Sequence, residues 1–205
     1  EKLAKQLDIP PSASITCVKP SGTVSQLVDS ASGIHARHND QYIRTVRMDK
    51  KDPITDFLTI AGVTVEDEQF HPDSTAVFSF PIRSPKGALT RNSKTALEQL
   101  ELWITYQRHW CEHKPSVTIS VRDEEWVEVG AWVWKHFDEI SGVSFLPHSD
   151  HTYPQAPYQD ATDEEIKALE KVTPKALDWS TFIEQDDNTT GTQELACSSG
   201  SCEII

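Results

Sequence analysis

The stretch ITCVKPSGTVSQLVDSAS, residues 15–32, joins a β-branched run to a turn of small residues and then to a segment compatible with a helix. Ile15 to Val18 reads as a strand. In the turn, Lys19, Pro20, Ser21, Gly22 and Thr23 lead into a helix start, where unpaired backbone N–H groups and the positive dipole end lie beside Ser and Thr hydroxyls. Gly22 lets the backbone approach an oxyanion, and Pro20 fixes the entry without removing a needed donor. Such a turn is either an ordinary N-cap or a phosphate cradle. It lacks the Lys-Ser/Thr ending of a P-loop and the three spaced glycines of a dinucleotide fingerprint.

Working outward, short β-rich runs alternate with longer segments of helical period, without an internal repeat. YIRTVRM (42–48), AVFSFPI (76–82), SVTISV (116–121) and GVSFL (142–146) read as further strands. Between them, Pro53–Ala61, Ser93–His113 and Asp123–Ile140 read as helices, the second with Leu97, Leu100, Ile104 and Trp110 on one face and the third with acidic residues in its first turn. The alternation predicts an α/β fold with a parallel sheet. HSDHTYPQAPYQD, residues 148–160, reads as an irregular packed loop. Thr162 or Asp163 caps a helix that runs through Val172 and is stopped by Thr173 and Pro174. The apolar residues Leu177, Trp179, Phe182 and Ile183 then dock on the body. From Glu184 the polar, turn-prone residues predict a mobile arm.

The bulk properties restrict function. The chain has 205 residues, 37% hydrophobic and 25% charged, with no apolar run near the ~20 residues of a membrane span. A net charge of −13 disfavours capture of a nucleic-acid backbone, so a phosphate ligand has to be held locally. Gln159–Ile205 carries eleven acidic and three basic residues, so most of the excess negative charge is C-terminal. Four cysteines are too few for a disulfide scaffold and point to a reducing, cytoplasmic setting. The chain starts at Glu1, and its one methionine is Met48, as expected for part of a longer protein. Glu1–Pro11 has no signal-peptide pattern.

KPSGTVSQL (19–27), SGIHARH with QYIRTVR (32–47), HKPSVTISV (113–121), GVSFLP with TYPQAPY (142–158) and the terminal CSSGSC (197–202) together resemble the ribonucleotide reductases, specifically the adenosylcobalamin-dependent class acting on ribonucleoside triphosphates. The resemblance covers nearly the whole chain. It implies residues 1–160 as the C-terminal part of a ten-stranded α/β barrel, 161–183 as a helix and docking segment, and 184–205 as a flexible redox tail. It also implies that Ser21, Gly22, Thr23, Val24 and Ser25 hold substrate phosphates, and that adenosylcobalamin is bound by the full-length enzyme. The radical-bearing cysteine, its acidic and amide partners, and the two cysteines that reduce the ribose would lie upstream. Cys17 and Cys111 do not match them and are expected to be core thiols.

Cys197 and Cys202 are separated by Ser198, Ser199, Gly200 and Ser201, which let the thiols meet. A structural disulfide is a poor motive, because a six-residue ring stabilises almost nothing, and zinc lacks a histidine after the pair, so redox exchange is preferred over an inert tail or metal. By resemblance, this dithiol re-reduces a disulfide inside the barrel and is itself reduced by a thioredoxin-like protein. The remaining partners implied are a ribonucleoside triphosphate and the rest of the reductase chain, with no nucleic acid and no membrane. A diphosphate-using cobalamin enzyme and a non-catalytic nucleotide-binding module with a redox tail are the alternatives.

Other clusters have ordinary readings. His35, Arg37 and His38 suit a surface or loop role better than metal; Arg44 and Arg47 suit paired structural charges. His148, Asp150 and His151 fall in a proline-rich loop, and Trp126, Trp132 and Trp134 read as helix-face core. No metal site is expected.

Overall fold

The computed structural model describes residues 1–22, 24–148 and 153–183. In chain order its elements are α1 (Lys2–Gln6), α2 (Val24–Leu27), β1 (Gln41–Asp49), α3 (Pro53–Ile60), β2 (Val65–Asp67), β3 (Thr75–Arg83), α4 (Ala96–His109), β4 (Thr118–Val121), α5 (Trp126–Lys135), β5 (Ser144–Pro147), β6 (Tyr158–Asp160) and α6 (Asp163–Val172). They divide into two compact units. One comprises residues 1–36 and 91–148, and the other residues 37–90 and 149–205. Among the described residues no helix is long and apolar enough to cross a membrane.

In the first unit, β4 and β5 pair in parallel, with Thr118 opposite Ser144 and Val121 opposite Pro147. The 3.6-residue period of α4 places Leu100, Trp103 and Ile104 against Val117, Ile119 and Val121, with Val129 and Trp132 of α5 completing the core. The Trp103 indole N–H donates to the Pro115 carbonyl at 3.0 Å, so this large ring is buried with its one donor satisfied. The Thr95 hydroxyl accepts from the Glu98 amide, and the Glu98 carboxylate accepts from the Thr95 amide; this reciprocal cap starts α4 later than the predicted Ser93. Trp110 stands past the helix end and is exposed, and Trp134 is 83% exposed, so neither belongs to the core the periodicity suggested.

In the second unit, four strands lie in the order β2-β3-β1-β6 with every neighbouring pair antiparallel. This corrects the parallel-sheet expectation for this unit, whereas the β4–β5 pair of the first unit is parallel. Because β3 runs against both β1 and β2, those two strands point the same way, and α3 joins them across the inserted β3. Residues 42–48 and 76–82, expected to run parallel across the intervening helix, are β1 and β3 and run antiparallel; the strand parallel to β1 after that helix is the unpredicted β2, in a split β-α-β arrangement. Asp52 caps α3 by accepting from the Ile54 amide at 3.0 Å, with Pro53 in the first turn. Leu58, Val63, Ala76 and Phe78 form this unit's core, and Leu177 packs on it. Trp179 and Phe182 lie 5.0 and 5.4 Å from the Phe57 ring, while Ile183 is exposed. β6 is a regular strand where an irregular loop was expected.

Candidate phosphate-binding loop

Residues 15–18 form no strand. The carbonyls of Thr16 and Val18 accept from the amides of His113 (3.1 Å) and Ser116 (2.9 Å), and the Thr16 hydroxyl donates to the Trp110 carbonyl. The Ile15 amide donates to the Glu112 carboxylate at 2.7 Å instead of to a backbone carbonyl. The segment is therefore extended and anchored without a repeating ladder, which corrects the strand reading. Cys17 is exposed here, against the expectation of a core thiol. Cys111 is buried, and burial pushes its thiol pKa up.

The turn follows directly. The Lys19 ammonium donates to the Lys114 carbonyl and the Ser116 hydroxyl, both at 2.9 Å, so it braces the turn from below. The Ser21 amide donates to the Ser32 hydroxyl at 3.0 Å. Gly22 has φ +55°, a left-handed conformation that a Cβ would strain, and its amide meets no acceptor among the described residues. The Val24 amide donates back to the Ser21 carbonyl, and the Ser25 hydroxyl donates to the Gly22 carbonyl at 3.1 Å. Ser25 is buried, with its hydroxyl fixing the Gly22 peptide, whereas Ser21 and Val24 are exposed. Thr23 lies outside the described residues, as do Cys197 and Cys202. α2, at four residues, is a single turn.

Behind the turn, sequence reasoning missed a support. His35 Nε2 accepts from the Thr118 amide of β4 at 3.1 Å, and His35 Nδ1 lies 2.9 Å from the Ser32 carbonyl. An amide only donates and a carbonyl only accepts, so the ring is neutral with its proton on Nδ1. Burial lowers the His35 pKa, partly offset by the Ser32 carbonyl. The one sequence signal was Gly33, at φ +61° between Ser32 and His35: a Cβ there would sit 2.9 Å from the Lys19 carbonyl oxygen.

The other candidates have structural partners. His38 lies 5.5 Å from the Tyr42 ring and 5.6 Å from the Tyr158 ring, with Nε2 3.1 Å from an Asp160 oxygen. Arg37 is buried, with its amide bonded to the Leu89 carbonyl. The Arg44 guanidinium covers the Tyr158 ring at 4.5 Å, and Arg47 donates to the Gln155 carbonyl. His148 pairs with Asn92, while Asp150 and His151 lie outside the described residues. Among the described residues no three His, Cys, Asp or Glu side chains are placed to hold a metal ion.

No family model matches the chain. A protein of Dictyostelium discoideum named a probable adenosylcobalamin-dependent ribonucleoside-triphosphate reductase is 32% identical over 100% of this chain and 27% of its own length. The chain is similar along its entire length to this reductase. The adenosylcobalamin-dependent ribonucleoside-triphosphate reductase of Euglena gracilis is also 32% identical, over 83% of this chain and 24% of its own length, and that of Lactobacillus leichmannii is 26% identical over 92% and 26%. The chain thus spans about a quarter of the length of these reductases. A crystal structure of a B-12-dependent (class II) ribonucleotide reductase superposes with TM-score 0.71 at 24% identity, covering 84% of this chain and 25% of that one, a likeness of fold.

Proposed function

We propose that the chain is the C-terminal part of a ribonucleotide reductase that converts ribonucleoside triphosphates to deoxyribonucleoside triphosphates by radical chemistry at the ribose. The observation that carries this is the 32% identity to the Dictyostelium discoideum protein along the entire chain. Residues 1–160 would complete a ten-stranded α/β barrel, 161–183 dock on it, and 184–205 form the redox tail. Ser21, Gly22, Thr23, Val24 and Ser25 hold the substrate phosphates in this reading. It is supported by the left-handed Gly22, whose amide lacks an acceptor among the described residues, and by Ser25 fixing the Gly22 peptide. Adenosylcobalamin, after which the relatives are named, is bound by the full-length enzyme in this reading.

The tail works by thiol–disulfide exchange. A thiolate of Cys197 or Cys202 attacks the disulfide left by ribose reduction, forming a mixed disulfide and releasing one barrel thiolate; the second tail thiolate then displaces the other. The tail leaves as a disulfide, and a thioredoxin-like dithiol reduces it, itself becoming oxidised. In the full-length reductase, Cys197→Ser with Cys202→Ser is expected to abolish repeated turnover with a protein reductant while one turnover of prereduced enzyme persists. Undiminished repeated turnover refutes the tail's role. Parallel assays with CTP and CDP distinguish the triphosphate enzyme from a diphosphate-using one. A non-catalytic module instead predicts micromolar nucleotide binding by this chain alone and no reduction in the full-length protein.

A further inference from the structure

We propose that Ser32 and His35 are the positioning residues of the phosphate loop, holding the Ser21–Gly22 turn in place through a hydrogen-bond relay that starts on β4. The proposal rests on the phosphate-loop reading above and adds what sets that loop's shape. The relay has three links: the Thr118 amide to His35 Nε2 at 3.1 Å, His35 Nδ1 to the Ser32 carbonyl at 2.9 Å, and the Ser21 amide to the Ser32 hydroxyl at 3.0 Å.

Three observations make this more than a chance turn. The relay begins in the core, because β4 places Ile119 and Val121 fully buried, so its first donor is held by packing. The backbone of the two segments meets without slack: a Cβ on Gly33 would lie 2.9 Å from the Lys19 carbonyl oxygen and 3.3 Å from Val18 Cγ1. Lys19, whose carbonyl oxygen makes that approach, is itself tied through its ammonium to the Lys114 carbonyl and the Ser116 hydroxyl. The turn itself has little intrinsic order, since α2 is one turn long and Leu27 and Val28 beside it are largely exposed.

The relay also occupies the Ser21 amide. Ser32 takes that donor, so the Ser21 peptide is oriented by the protein and the Gly22 amide, one residue on, is left to face a ligand. Ser32 and His35 thus set the direction of a donor without themselves touching the phosphate. Removing them loosens the turn, and the cost appears when an anion has to order it again.

The test uses the full-length reductase, with CTP as the ligand and inorganic tripolyphosphate as its competitor. Ser32→Ala is expected to weaken CTP and tripolyphosphate alike by about five- to tenfold, the scale of one lost hydrogen bond, with the thermal midpoint moving by less than about 2 °C. His35→Gln, whose side-chain oxygen can still accept from Thr118, is expected to recover part of the affinity lost in His35→Ala. Gly22→Ala serves as the control for the loop itself. If Gly22→Ala weakens both ligands while Ser32→Ala and His35→Ala leave them within twofold, the relay is dispensable and the proposal fails with the phosphate loop intact. If none of the variants changes either affinity, the phosphate-loop reading fails and takes the relay with it. A loss in Ser32→Ala confined to CTP, with tripolyphosphate unaffected, also overturns the proposal, because the residue would then act on the nucleoside end.

Discussion

His35 has to be neutral for both of its hydrogen bonds to form, since a proton on Nε2 would set one N–H against that of Thr118. Burial lowers its pKa from 6.5, more than the Ser32 carbonyl restores, so the folded chain binds this proton less readily than the unfolded chain does. Its contribution to stability is therefore fully present above about pH 6.5 and is lost as pH falls through the lower folded value. The unfolding midpoint of the chain is expected to drop between pH 7 and pH 5 more steeply than that of His35→Gln, as followed by circular dichroism. Matching slopes would remove His35 from the account. The sequence made this residue visible only as a surface or loop histidine, weighed against a metal ligand. What it lacked was the identity of the partner: Thr118 is 83 residues away, and nothing local announces an amide that will need an acceptor.

At the scale of elements, the helices with side-chain caps were the most legible. Thr162 and Glu165 satisfy each other's backbone amides, so α6 begins where its sequence says it should, with Ile166 fully buried one turn in. Thr162→Ala is expected to cost about 1 kcal/mol of unfolding free energy, measured by urea denaturation; a change below about 0.3 kcal/mol would mean that packing alone sets the helix start. Elements defined by distant partners were less legible. Ile15–Val18 has strand composition, but its bonds go to the Trp110 carbonyl, the Glu112 carboxylate and the amides of Glu112, His113 and Ser116 in uneven spacing. β6 has three residues after a proline and exists because β1 offers it an edge. Of the candidate site, the turn at Gly22 was legible from composition, whereas the inward turn of Ser25 and the support from Ser32 depend on geometry that only the folded chain supplies.

At the scale of the whole molecule, the chain combines a net charge of −13 with a run of apolar surface on α5 and just beyond it, where Val127 is 84%, Trp134 83% and Phe137 68% exposed. Their spacing of seven and three residues puts them on one side of the helix and its extension. The 205-residue chain on its own is expected to self-associate as salt screens its charge, and Trp134→Ser to reduce that association, as read by sedimentation velocity between 50 mM and 500 mM salt. A monomer at all salt concentrations for both proteins would contradict this. The split arrangement of the second unit also has a consequence for biosynthesis. β1 can take its first partner only when β3 has been made, and its other edge waits for β6, as with Thr45 and Ala156, which bond across 111 residues. At a translation rate of ~5–20 residues per second, that edge stays open on the ribosome for roughly 6–20 s, an interval in which a chaperone or a neighbouring nascent chain competes for the same backbone groups.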